Sequence, residues 1–248
     1  MTESQWNAFC SFRTNYKNYC DTLNTKYREV LFPLQKEASK KDTPEYPLET
    51  AVVYNTALDE ITRESQINMI VIGDNPGKDE QLAKNRKYLV GQSGKIAAGF
   101  FLKNPELKTD FRTNVIILNK TPVHTAKTSH LKYLCKAGGI ELVNLINETQ
   151  AHMARITAEL QQALGCEIWL VGYAELKSRG IFDLYRNELK ESYTTFPQDW
   201  EKVLVFQHFS MNRFLIDLRA FIQNHPELSL SDSIHALGTL HRQEIFGA

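Results

Sequence analysis

No stretch of this 248-residue chain approaches the ~20 consecutive apolar residues that a membrane-spanning helix needs. The opening residues, MTESQWNAFCSFRTNYK, hold neither the short apolar block nor the small-residue cleavage site of a secretory signal. These absences lead us to expect a cytoplasmic protein with no membrane partner. An excess of one charge is missing as well, since 29 basic residues balance 29 acidic ones. A globally basic surface, the usual footprint of a nucleic-acid binder, is thereby excluded. Only local clusters remain: KNRK at 84–87, then Lys120, Lys127, Lys132 and Lys136. Cysteine is sparse, and Cys10, Cys20, Cys135 and Cys166 contain no CxxC pair, so they read as structural thiols. The phosphate loop of nucleotide triphosphatases is also lacking. GDNPGK has three residues between its glycines where that motif needs four, and GQSGK at 91–95 fails the spacing too.

The 42% apolar content is ample for a core, and its periodicity changes along the chain. From residue 4 to 36 the apolar side chains Trp6, Phe9, Tyr16, Leu23, Tyr27 and Leu31 recur at helical spacing. One long or two shorter helices are expected there, ended by EASKKDTPEYP, with DTPEYP at 42–47 as a linker. Residues 1–45 are therefore read as a helical extension packing on a main domain of 46–248. A short helix is expected around 55–65. From residue 67 onward strands and helices alternate. The strands are NMIVIG (68–73), NVIIL (114–118), CEIWLVG (166–172) and KVLVFQ (202–207), apolar enough to be buried on both faces. The helices fall at 93–104, with Ser93 as N-cap, at 140–164 before Gly165, within 174–190, and at 212–223. The tail after 223 offers only weak signals. This order predicts an α/β three-layer sandwich: a central four-stranded parallel sheet flanked by helices.

In such sheets a ligand sits beyond the carboxyl ends of the strands. That rule directs attention to Gly73-Asp74-Asn75, to Asn119, and to His208 with Ser210, each following a strand. Each has an ordinary explanation when taken alone: a turn Asx, a turn Asn, a satisfied histidine. Together they place a carboxylate, two carboxamides, an imidazole and a phosphate seat on one edge, a set suited to hydrolysis near a nucleobase.

Four stretches carry a resemblance. GDNPGKDE (73–80), YLVGQSG (88–94), TNVIILNKTP (113–122) and HFSM (208–211) are similar, in order and strand placement across residues 67–223, to GEAPG, PFVGxAG, TNVVKCRPP and HPSP. Those are motifs of the uracil-DNA glycosylase superfamily in its bacterial and archaeal iron–sulfur branch, family four. The chain departs from that pattern: it lacks the leading CxxC, and Asn119 replaces the cysteine of KCRPP, so no iron–sulfur cluster and no other cofactor or metal is expected. Asn75 matches the water-holding Asn of the mismatch-specific and single-strand-selective branches.

The resemblance implies a monomeric enzyme that flips uracil or a related deaminated base from single- or double-stranded DNA and hydrolyses its glycosidic bond in base excision repair. Asp74 and Asn75 would steady the sugar cation and hold water, and His208 would donate to the leaving base. Asn119 would read the base; Asn114 aligns by TNV and is the second candidate. Leu89 stands where the family has a stacking Phe, so Tyr88 or another aromatic would substitute. Ser210 and the N–H groups of Gly77, Gly91 and Ser93 would take phosphates, and Met211, Asn212 and Arg213 would wedge the vacated stack. Two other readings compete: a relative that binds damaged nucleic acid without turnover, and a hydrolase of free nucleosides. The glycosylase reading requires Asp74, Asn119 and His208 to converge on one cleft.

Overall fold

Strands built of uninterrupted apolar residues can be buried only if both faces are covered, and the fold follows from that requirement. A computed structural model describes residues 1–247. The elements are α1 (Glu3–Lys40), β1 (Met69–Gly73), α2 (Gln92–Lys103), β2 (Val115–Asn119), α3 (His130–Leu164), β3 (Glu167–Val171), α4 (Tyr173–Leu176), α5 (Asp183–Glu191), α6 (Pro197–Trp200), β4 (Val203–Phe206), α7 (Arg213–Asn224) and α8 (Leu230–Phe246). The strands form one parallel sheet in the order β2-β1-β3-β4. Successive side chains point to opposite faces. Ile70, Ile72, Ile116, Leu118, Ile168 and Leu170 accordingly join one apolar layer with α1, α3 and α5. Met69, Val71, Val115, Ile117, Trp169 and Val171 join a second with α2, α7 and α8. The three-layer α/β sandwich is thus present. None of the described helices is long and apolar enough to cross a membrane.

The N-terminal extension is one helix rather than two. Its buried residues Phe9, Phe12, Tyr16, Cys20, Leu23, Tyr27, Leu31, Gln35 and Ala38 recur every three or four positions, a stripe that lies on α3. The helix starts at a capping box of Thr2 and Gln5 and runs through Pro33 to Lys40, beyond the apolar pattern. Gln35 helps hold that last part, donating to the carbonyls of Ala51 (3.0 Å) and His124 (2.8 Å).

Several boundaries differ from expectation. The helix expected at 55–65 is a single 3₁₀ turn, Thr56–Glu60. The helix expected from 140 starts at His130 and passes through a break at Gly139, whose φ of 62° only glycine adopts freely. The stretch 174–190 divides into α4 and α5. The weakly marked tail forms α8, with Ser229 accepting from Asp232 N–H as N-cap and Ile234, Leu237, His241 and Ile245 buried at helical spacing.

Candidate active site

The carboxyl ends of β1, β2 and β4 open into one cavity of about 740 Å³, a volume typical of small-ligand sites. Asp74, Asn75, Asn119 and His208 all line it, together with Leu89, Gly77, Gly91, Ser93, Ser210, Met211 and Arg213. The convergence that the sequence required is present. Three of the expected site residues lie elsewhere.

Asp74 follows β1 directly. Its Oδ1 accepts from Lys120 Nζ at 2.6 Å and its Oδ2 from Thr128 Oγ1 at 3.2 Å. Lys120 is 0% exposed. Its ammonium also donates to the carbonyls of Val171 (2.6 Å) and Gly73 (3.3 Å) and lies 5.0 Å from the Phe182 ring centroid. Three acceptors for three N–H bonds complement the charged form. Burial draws the Lys120 pKa down, opposed by the charge and hydrogen bond of Asp74. By sequence Lys120 is one of a local cluster of cations with Lys127, Lys132 and Lys136. Its position one residue past Asn119 is the signal that it belongs to the strand-end site rather than to a solvated face.

Asn75 Nδ2 donates to Thr125 Oγ1 at 2.8 Å and lies within 3.4 Å of the carbonyls of Pro76, Val123 and Thr125. Four oxygens on one side fix the amide orientation, which leaves Oδ1 as an acceptor on the cavity side.

Asn119 ends β2 beside Gly73, its register partner in β1. A Cβ on Gly73 would stand 2.5 Å from Asn119 Oδ1, so only glycine lets this amide lie at the strand end. The side chain is buried, and Nδ2 has no hydrogen-bond partner. An orphaned buried donor is expensive, about 1–3 kcal/mol, unless a ligand supplies the acceptor.

His208 follows β4. Ser210 N–H donates to its Nδ1 at 3.1 Å, and Ser210 Oγ lies 2.8 Å from the same nitrogen. Nδ1 is therefore the acceptor and the proton of the neutral ring sits on Nε2. Burial lowers the His208 pKa; Asp74 opposes that and Lys120 adds to it. The imidazole thus offers a neutral Nε2–H donor.

Leu89 lines the cavity in a left-handed conformation, φ 51°. Arg112 Nη2 grips its carbonyl at 2.6 Å. A Cβ on Gly94 would sit 1.4 Å from that same oxygen, so the loop packs on α2 only because position 94 is glycine. Glu80 joins this loop to the one after β1, accepting from Leu89 N–H (2.9 Å) and Gly77 N–H (3.2 Å). Burial pushes its pKa up to about 7.

Five expectations require correction. Tyr88 is buried in the core and hydrogen-bonds Tyr16 (2.6 Å) and the Val53 carbonyl, which turns its ring away from the cavity. No other aromatic takes its place among the described lining residues. Asn114 lies at the opposite, amino-terminal end of β2, bonded to Asp110 N–H and the Gln66 carbonyl (both 2.9 Å). Gly77 N–H is engaged by Glu80 and cannot serve a phosphate. Ser93 is inside the first turn of α2 rather than its cap, which is Gly91. Gly91, Gln92 and Ser93 nevertheless bring the α2 amino terminus to the cavity wall. At the opposite wall Met211, 72% exposed, and Asn212 hold consecutive left-handed φ values of 53° and 56°. Met211 and Arg213 line the cavity, whereas Asn212 stands outside it on a neighbouring groove.

The four cysteines are free and dispersed, Cys10 and Cys20 on α1, Cys135 on α3 and Cys166 just before β3. Among the described residues no three His, Cys, Asp or Glu side chains are grouped to hold a metal, so the side chains do not fit an iron–sulfur cluster. Comparisons with protein-family models, with curated proteins and with solved structures return no match.

Proposed function

We propose that this chain is a DNA glycosylase that hydrolyses the N-glycosidic bond of uracil, or a related deaminated base, extruded from DNA. The reading includes a monomeric enzyme acting in the cytoplasm without a cofactor. The observation that carries it is the unpartnered Asn119 Nδ2, buried at a strand end on the same cavity as Asp74, Asn75 and His208. A base carbonyl satisfies this donor. The amino group of cytosine would set donor against donor, at a cost of about 1–3 kcal/mol.

The base leaves the stack at a cost of a few kcal/mol. Met211 would fill the gap, a role supported by its exposure on a left-handed turn at the mouth. As the bond to C1′ breaks, positive charge grows on the sugar and negative charge on the base. The Asp74 carboxylate, held by Lys120, faces the first; the Nε2–H of His208 faces the second. A neutral donor suits this role, because it stabilises the leaving oxygen without a prior protonation. Asn75 Oδ1 accepts a hydrogen bond from the attacking water; the water oxygen bonds C1′ as the C1′–N bond breaks, and the proton the water gives up ends on the departing base. Each donor or charge so aimed contributes roughly 3–4 kcal/mol.

One observation favours a second reading, binding without turnover: both Asp74 oxygens already have protein donors, and no ring stacks the base. Release of uracil from single- and double-stranded oligonucleotides, read as abasic-site cleavage, separates the two. The glycosylase reading expects release by the native chain, reduced about a hundredfold or more in Asp74→Asn and His208→Ala. Binding of uracil-containing DNA with no release by the native chain would leave the second reading standing.

A further inference from the structure

The groove between α2 and α7 is separate from the cavity but starts at its rim. It encloses about 390 Å³ and begins at Asn212, between the cavity residues Met211 and Arg213. Ile96, Leu215 and Ile222 line it, with Lys95, Lys103 and Arg219. No acidic residue lines it, and none of these three cations has an ion-pair partner among the described residues. In a chain whose formal charges cancel, this is a local excess of positive charge along the groove wall. The cavity itself is mixed, with Asp79, Glu80 and Glu175 beside Lys78 and Lys127.

We propose that this groove carries the phosphodiester backbone of the DNA strand flanking the extruded base. The proposal rests on the glycosylase reading for its occupant. Lys95 and Lys103 are separated by two turns of α2, about 12 Å, which spans three to four phosphates of a stacked strand at ~3.4 Å each. Both helices begin at the cavity mouth, so a strand with one nucleotide held there has its neighbours tethered beside the groove at high effective concentration. The aliphatic floor takes the apolar faces of the deoxyriboses, and the exposed ammonium and guanidinium groups take phosphate oxygens. An acidic peptide would match the charge but lacks that tether.

The test is the salt dependence of binding. Fluorescence anisotropy with an undamaged, labelled single strand compares the native chain with Lys95→Ala/Lys103→Ala/Arg219→Ala. All three side chains are exposed, and a Gln triple variant that keeps most of each stem serves as a second version. Loss of three phosphate contacts lowers the slope of log K against log salt by about 2, at ~0.7 per contact. Release of uracil from a trinucleotide too short to enter the groove stays as in the native chain. An unchanged slope in both variants overturns the groove, even where uracil release persists. The expected slope change without uracil release by the native chain supports the groove as a nucleic-acid track while removing the glycosylase reading. Polyglutamate binding to the native chain at salt where the strand does not bind also overturns it.

Discussion

Replacing Lys120 by Met leaves a stem of similar length and deletes the charge that holds Asp74. Lys120 is wholly buried, and its ammonium is shared between Asp74 Oδ1 and two main-chain carbonyls. In the variant the carboxylate keeps only Thr128. Removing one member of a buried ion pair strands the other and costs about 3–5 kcal/mol. For a domain of this size each kcal/mol lowers the melting temperature by roughly 2–4 °C, so a fall of about 6–20 °C is expected. The double variant Lys120→Met/Asp74→Leu removes the stranded charge and should recover most of that loss. Urea unfolding of the native chain, both single variants and the double variant gives the coupling directly. A Lys120→Met protein within about 1 kcal/mol of the native chain, or a strictly additive double variant, would refute the buried-pair argument. It would also remove the reason for regarding Asp74 as held in place.

Asn119→Leu should lower uracil release by at least about tenfold while leaving stability equal or higher, because it deletes a buried donor that lacks a partner; release assays and thermal melting of the same preparation check both halves. Glu80 has a folded pKa of about 7 against an ordinary 4.5, so the folded protein binds the extra proton and stability falls as pH rises from 4.5 through 7. In Glu80→Gln that decline should be absent, which urea midpoints at acid and neutral pH will show. Gly94→Ala should destabilise by about 3 kcal/mol or more, since the new methyl overlaps the Leu89 carbonyl; chemical unfolding measures it, and a neutral result would mean that the loop is not packed on α2.

The layer architecture was legible because its signal is local. A run such as MIVIG has no polar residue to expose, so it must lie between two covered faces, and strands separated by helices must pair in parallel. The rule that ligands gather at carboxyl ends then located Asp74, Asn75, Asn119 and His208 without any knowledge of their contacts. The preference for Asn119 over Asn114 came from the same rule, and the two amides do lie at opposite ends of β2. The helix α8 was missed although its cap and spacing were readable, because histidine and glycine interrupt the apolar run that marks a helix.

Pairing across the chain lay beyond the sequence. Tyr88 stands beside a cavity residue, yet its hydroxyl finds Tyr16, 72 positions away, and that partner turns the ring into the core. Lys120 reads as one more surface cation until the ends of β1, β2 and β3 enclose it. The Gly77 amide reads as a free donor until Glu80 claims it. Periodicity and strand-end position are properties of a segment, so the sequence alone determined the layers and the edge at which chemistry can occur. Burial and hydrogen-bond partnership are properties of pairs brought together by folding, and only the tertiary structure decided which donors on that edge are spent and which, like Asn119 Nδ2, have no partner in the protein.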